Sequence, residues 1–469
     1  MLIKKRFLFT VTVLLCSCCC FAQGFVDAAK YGFSPKATGV QNMIALQKAV
    51  DKSGTIIVSE PGIYKMAGTI YVGSNTTVKF GNGVKLEKVN EQGDFSHVIV
   101  NKGASKRQYD ESIEIDGLEI IVNNMDVRMF KEAYGLHGQL AFFYVKDLRI
   151  NHFRCYDLGK AQYGIHICTF DNVIINDAVI YGQKDGIHFG RGKHFVVSNC
   201  TFKTFDDAIA LNAHDYAVGN PEYGWIEDGV IEKCYDLNAQ PTTGYFCRIL
   251  AGAWLDWKEG MEVQQSDIVV SENRLYRVQM QPDGKTFISK TRPTHTEGMQ
   301  TLDGITWGVV QNDVLYNCGV RDVTFRDIFL YKPRTAFSVH FDIGKYSRSY
   351  YPGAIKPVQR NLSFDNIRVL YDTPSTFIHS NTPIDMMSIT NSYLQNNSIV
   401  FNGAGIMDDF GKTHITITNT VFNFTKDFSF IQIQVPGKKV DLQLVGNTIE
   451  DGTKTLKLEQ GDGILNIVK

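Results

Sequence analysis

The sequence predicts an all-β protein, a solenoid of stacked β-coils, and three observations carry that expectation. Residues recur at an offset of 22: Gly164, Gly186 and Ala208 share one column, Ile165, Ile187 and Ile209 the next, and Ile167, Phe189 and Leu211 a third. A period of roughly 20–30 residues marks one supersecondary unit stacked on the next. Within each unit apolar residues alternate as they do along half-buried strands. Gly is frequent (41) and Pro scarce (12), with Asn, Asp, Thr, Ile and Val in short runs, which favours short strands and tight turns over helices.

The elements follow in order. Lys4-Lys5-Arg6, the apolar run from Phe7 to Leu15 and Phe21-Ala22-Gln23 read as the parts of an export signal over residues 1–23. That run is too short to span a bilayer. Leu15-Cys16-Ser17-Cys18 loosely resembles a lipoprotein processing site. The exported protein is therefore expected to be periplasmic or secreted, either soluble or lipid-anchored through Cys18. Residues 24–469 read as one solenoid domain with no linker or second unit. Asn42 to Val50 predicts a helix with Ile44, Leu46, Ala49 and Val50 on its apolar face, ended by Ser53-Gly54. It is placed to cap the open apolar end of the first coil. Strand texture begins at Thr55–Val58, is best kept from Gln139 to Leu211, and returns at Val323–Ile328, Leu362–Ile367, Met387–Asn391 and Ile415–Asn419.

The stretch from 214 to 307 breaks this rhythm. It holds Tyr216, Tyr223, Trp225, Tyr245, Trp254 and Trp257, and it predicts a hairpin from Arg274–Val278 through Pro282-Asp283-Gly284 to Thr286–Ile288. Insertions in solenoids gather on one face, often the binding face, so this one is expected to wall a groove beside Asp185 and Asp207. Trp254 and Trp257 either stack on sugar rings or pack within the insertion.

Formal net charge is −1, from 48 Lys plus Arg against 49 Asp plus Glu. No basic excess recommends nucleic acid or an anionic membrane as partner. Four of the ten cysteines lie in the signal. The other six, Cys155, Cys168, Cys200, Cys234, Cys247 and Cys318, show no CxxC spacing and read as buried thiols with no metal role.

Two runs carry the chemistry: Lys184-Asp185-Gly186-Ile187-His188-Phe189 and Asp206-Asp207-Ala208-Ile209-Ala210-Leu211. Adjacent coils lie about 4.8 Å apart, so residues 22 apart become neighbours and Asp185 meets Asp207. Strict alternation would send both carboxylates into the core, where charge is costly, so both are expected in the turn before the strand. Gly186 and Ala208 would then leave room for a ligand. His166 and His188 share the outward column beside the acids. Like charges this close raise at least one pKa and can hold a water, while Asp206 projects elsewhere. One protonated carboxyl with carboxylates that activate water is what acid–base cleavage of a glycosidic bond requires. The alternative is that Asp206 and Asp207 merely cap strands through backbone N–H groups.

Asp-Gly-Ile followed about twenty residues on by Asp-Asp-Ala-Ile-Ala-Leu resembles the polygalacturonase and rhamnogalacturonase family of glycoside hydrolases. The resemblance implies a single-stranded right-handed parallel β-helix (the pectin-lyase-like solenoid) and an inverting hydrolase of pectin-like or other uronic acid- or rhamnose-containing polysaccharide. It needs no cofactor or metal, and it implies a monomer acting on a glycan. By the family's motifs, Asp206 matches the proton donor, and Asp185 and Asp207 match the pair that activates water. Lys184, His188, His166, His214 and Arg248 become substrate-binding candidates, Arg248 as a fork for an acidic sugar's carboxylate. The pattern diverges: Gln183-Lys184 replaces Asn-Thr, Phe205 replaces Gly, Gly-His-Gly is missing, and Arg248-Ile249-Leu250 lacks the final Lys. Two other functions fit the same scaffold. One is a polysaccharide lyase with Lys184 or Arg248 as base and the three Asp holding Ca²⁺; the other is a glycan-binding solenoid without turnover.

Overall fold

Coil length and side-chain parity together build the molecule. A computed structural model describes residues 24–128, 131–216, 218–240, 243–282, 284–344, 347–403, 411–425, 429–450 and 457–468. The expected signal at 1–23, with Cys18, lies outside the described residues, as does Asp283 of the expected hairpin turn. The chain winds as a right-handed parallel β-helix whose coils present three sheet faces. The first face stacks Ile187–Phe189, Ile209–Asn212, Cys247–Ala253 and Phe337–Phe341. The second stacks Gly192–Ser198, Ile226–Asp236, Val320–Leu330 and Arg360–Val369. The third begins with Arg154–Leu158, Val179–Gly182 and Thr201–Thr204.

The 22-residue register holds in space. Ile165 pairs with Ile187 and Ile187 with Ile209; Ile167, Phe189 and Leu211 do likewise. Inward columns close one continuous apolar core, with Phe325 stacked on Phe364 at 5.2 Å. The turn from second to third face is left-handed at Asp177, Asn199, Asn366, Asn391 and Asn419 (φ 50 to 56°). Asn and Asp tolerate that conformation. Their side chains also bond the coil before: Asn199 Nδ2 donates to Asn176 Oδ1 at 2.7 Å and Asn391 Nδ2 to Asp365 Oδ1 at 2.9 Å.

The cap helix spans Gly39–Val50, starting three residues before the expected Asn42 because Thr38 and Gln41 form a capping box. Ala45, Leu46, Ala49 and Val50 face the core, whereas Ile44, expected on that face, is exposed. All six described cysteines are buried and unpaired.

The 214–307 stretch folds differently from expectation. Arg274–Val278 pairs with the preceding Ile268–Ser271 across Glu272 and Asn273, both at positive φ, and with Ile305–Gln311. Phe287–Ser289 pairs instead with Met261–Val263. The tight turn at Glu272-Asn273 outcompetes the longer Pro-Asp-Gly connection. This small sheet has its own core around Trp257, Tyr276 and Trp307. Trp257 donates to Ser289 Oγ and packs within the insertion, whereas Trp254 joins the solenoid core and donates to the Leu315 carbonyl. Among the described residues, no helix is long and apolar enough to cross a membrane.

Candidate active site

The corner from third to first face carries the acids. Asp185 and Asp207 each stand two residues before a first-face strand, in the turn, as parity demands. Gly186 N donates to the Asp207 carbonyl at 2.9 Å, so the stack continues through the corner. A Cβ at Gly186 would meet the Ala208 carbonyl at 2.6 Å and the Phe202 ring at 2.8 Å. The small residues there are therefore demanded by core packing; they do not open space for a ligand as expected.

Oxygens of Asp185, Asp206 and Asp207 all lie within 4.8 Å of one another. Their exposures divide the labour. Asp185 and Asp207 are 1% exposed as side chains, and Asp206 is 26% exposed. Lys184 Nζ ion-pairs with Asp206 and stands 3.6 Å from Asp185 Oδ1. His188 is wedged between two carboxylates: Nδ1 meets Asp185 Oδ2 at 2.9 Å and Nε2 meets Asp215 Oδ2 at 3.0 Å. Tyr163 stacks flat on that imidazole at 4.2 Å. Asp207 Oδ1 accepts from Tyr245 N–H at 2.9 Å, and Oδ2 stands 3.1 Å from Arg248 Nε. That Nε–H is aimed at Asn212 Oδ1, so Asp207 Oδ2 has the charge of Arg248 beside it without an aligned hydrogen bond.

Four carboxylates (Asp185, Asp206, Asp207, Asp215) thus face three cations (Lys184, His188, Arg248). One extra proton balances the cluster, and the surroundings choose its place. Burial alone would raise Asp185, but Lys184, His188 and Arg248 hold it well below the ordinary carboxylate range. Asp215 is likewise held low against its burial by His188 and Arg248. For Asp207 burial wins: Arg248 opposes it only in part, the charges of Asp185 and Asp206 add to it, and its pKa rises to about 7. Burial works against a proton on His188 and Lys184, yet their carboxylate partners outweigh it and raise both. The result is an ionised Asp185 beside an Asp207 that keeps its proton until the pH nears about 7.

A cavity of about 950 Å³ opens in front of Lys184 and Asp206. Tyr156, Tyr181, Phe205, Lys160 and Lys203 line it, and among the described residues of the inserted stretch Asn238, Ala239 and Gln240 do. Of the stretch expected to wall the groove, the part before the first-face strand Cys247–Ala253 contributes to the lining, and no described residue of the small sheet does. That sheet follows the far end of the first-face strand Cys247–Ala253, while the loop after Asn212 lays Asp215 and Asn220 on the outward histidines. His166 and His188 share a column, as the register requires, but both are buried. His166 accepts from His137 N–H at 3.0 Å and meets Asn220 Oδ1 at 2.8 Å, which uses both ring nitrogens. His214 stacks on Tyr223 at 4.6 Å, inside the protein, and burial lowers it to about 3. Neither lines the cavity. Arg248 is spent on Asp207 and Asn212, so it is no open fork for a ligand. Of the five substrate-binding candidates, Lys184 lines the cavity. Asp215, Tyr163 and Tyr245 were missed: Asp215 and Tyr245 lie past Leu211, where insertions of irregular length enter, whereas Tyr163 stands one period before Asp185 and the register could have placed it.

The three acids are the one carboxylate group among the described residues close enough to share an ion. Their fit to Ca²⁺ is poor. Calcium takes about six to eight oxygens, and the ammonium of Lys184 already occupies the open side of this trio.

No family model matches the sequence, and no curated protein matches it. Solved structures do. The catalytic unit of a GH87 alpha-1,3-glucanase from Streptomyces thermodiastaticus aligns with 95% of this chain and 68% of its own, at TM-score 0.52 and 11% identity. A family 28 exopolygalacturonase from Yersinia enterocolitica aligns over 94% and 78% at TM-score 0.45 and 12% identity. The surface adhesin PfbA of Streptococcus pneumoniae aligns over 95% and 100% at 0.47 and 10%. At 11% identity the likeness to the glucanase catalytic unit speaks to the fold alone.

Proposed function

We propose that this protein is an exported glycoside hydrolase that cleaves an acidic plant or algal polysaccharide by acid–base catalysis, with inversion. The observation that carries this reading is the division of protons and access among three clustered acids. Asp185, held ionised, is the base. Asp185 Oδ1 and Asp207 Oδ2 are buried behind Lys184 and Asp206, outside the cavity lining, and receive no hydrogen bond among the described residues; a water admitted past Lys184 and Asp206 would be held by both oxygens. Asp206, at the cavity wall, takes up the proton stored on neighbouring Asp207 and passes it to the leaving oxygen, while Asp185 accepts the proton of the attacking water. Lys160, Lys184 and Lys203 in one cavity suit uronate groups, and Tyr156, Tyr181 and Phe205 offer ring faces for sugars. The substrate and the export route rest on the resemblance to polygalacturonases and on the N-terminal pattern.

Incubation with a panel of plant and algal glycans, scoring new reducing ends and ultraviolet absorbance together, tests this. Reducing ends should appear without absorbance, and Asp206→Asn should lower turnover about 10³-fold with an unchanged circular dichroism spectrum. Full activity in that variant overturns the assignment. An absorbing product lost in chelator selects the lyase, and saturable binding without turnover selects a glycan-binding role.

A further inference from the structure

The inward column Ile180, Phe202, Asp236, Leu330, Val369 is apolar except at one position. Asp236 is fully buried there, and it grips Arg334 with both oxygens: Nε to Oδ2 at 3.1 Å and Nη2 to Oδ1 at 2.8 Å. A buried ion pair is a poor way to stabilise a solenoid, since apolar residues of similar size commonly do as well or better. Its position suggests another use. Arg334 Nη1 reaches on to the carbonyls of Asp206 at 2.8 Å and Thr243 at 3.1 Å. Two residues earlier, buried Lys332 donates to the carbonyls of Thr204 at 2.5 Å and Phe205 at 3.3 Å. Three successive carbonyls of the corner that carries Asp206 and Asp207 are thus held by two cations about 130 residues further along the chain.

We propose that Asp236, Arg334 and Lys332 form a clamp that positions the catalytic corner, fixing the direction in which Asp206 enters the cavity. These are positioning residues: none lines the cavity, and each acts through the backbone. The corner needs such a device because three carboxyl groups are crowded within 4.8 Å of one another, an arrangement that an unheld backbone would relax by turning the side chains apart. Carbonyls make suitable handles, as they accept from the cations and leave the carboxylates free for chemistry. This inference rests on the hydrolase reading above for its consequence, although the clamp itself can be tested without substrate.

The experiment compares the wild type with Asp236→Leu/Arg334→Met, an apolar replacement matched to Leu330 in the same column, and with Arg334→Lys. Amide hydrogen exchange on peptides covering residues 203–210 should accelerate at least tenfold in the double variant, while peptides covering 187–197 stay unchanged. On any glycan whose turnover depends on Asp206, kcat should fall about 100-fold with KM within about threefold, the effect of a misplaced group. Arg334→Lys keeps the charge but cannot span Asp236 and two carbonyls, and should recover only part of that loss. Unchanged exchange at 203–210 in the folded double variant overturns the clamp whether or not a substrate is found. Equal loss of protection everywhere also overturns it, since the pair would then serve the fold as a whole. If the wild type turns over nothing while the exchange result holds, the hydrolase reading fails and the clamp stands.

Discussion

Two corners of the same coil solve the same stacking problem in opposite ways. Where the second face turns into the third, amide donors meet carboxylate or amide acceptors from coil to coil, as in Asn199 on Asn176, Asn366 on Asp327 and Asn391 on Asp365. Each step is a hydrogen bond and the corner stabilises itself. Where the third face turns into the first, Asp207 stacks on Asp185 with Asp206 beside them. Here register brings like charges together, and cations must be imported: Lys184 locally, Arg248 from the next coil, Lys332 and Arg334 from the one after. The solenoid dictates only that columns form. Side-chain chemistry decides whether a column is a ladder or a reactive site.

The largest effect expected from breaking this contrast is at Asp185. Asp185→Asn keeps the shape of the side chain but removes the charge that pairs with Lys184 and His188, and with it the base. Turnover should fall about 10³-fold with KM little changed, measured by reducing-end release. A loss under tenfold would mean that Asp185 is structural, like the acids of the other corner.

A second test uses the proton on Asp207. Burial lifts its pKa to about 7, whereas an exposed Asp titrates at ~3.9. The folded state therefore binds this proton more tightly than the unfolded state does. The associated stability is fully present below pH ~4 and is lost as pH rises through about 7. Asp207→Asn cannot titrate, so its Tm relative to wild type should climb between pH 4.5 and pH 8. At ~1.4 kcal/mol per pH unit the ceiling is about 4 kcal/mol. Asp185, held low, has the opposite sign: its contribution is lost as pH falls through the acid range. A Tm difference that stays flat from pH 4.5 to 8 would rule out a proton stored at Asp207. Activity, on the hydrolase reading, should decline above pH 7 as that proton leaves.

The two corners were not equally legible. The columns of Ile165, Ile187 and Ile209, and the meeting of Asp185 with Asp207, follow from an uninterrupted 22-residue period and a side-chain period of two. Beyond Leu211 the intervals between coils vary as insertions enter, so no count of residues announces that Arg334 reaches the Asp206 carbonyl or that Asp215 closes on His188. Outward parity at His166 and His188 suggested exposure. The loop after Asn212 lies over both, and parity along one strand carries no information about what another segment lays over it. Asp236 was hidden for a related reason: in sequence it is one more acid before a loop, and only the column of Phe202 and Leu330 shows that it sits in the core.

The smallest effect is predicted at the self-sufficient corner. Asn391 holds φ 52°, bonds Asp365 through Nδ2 at 2.9 Å, and lies well beyond the coils that build the site. Asn391→Ala adds left-handed strain of ~1 kcal/mol and removes a hydrogen bond worth ~1 kcal/mol. Asn391→Gly removes the same bond but relieves the strain. Thermal unfolding should therefore rank wild type above Gly and Gly above Ala, with steps of a degree or two in so long a chain, roughly as the size scaling of Tm implies. Turnover at 25 °C should be unchanged in both. If either variant loses activity while it remains folded, the ladder corner and the reactive corner are mechanically coupled along the solenoid, and the clamp on residues 204–206 is not enough to isolate the site.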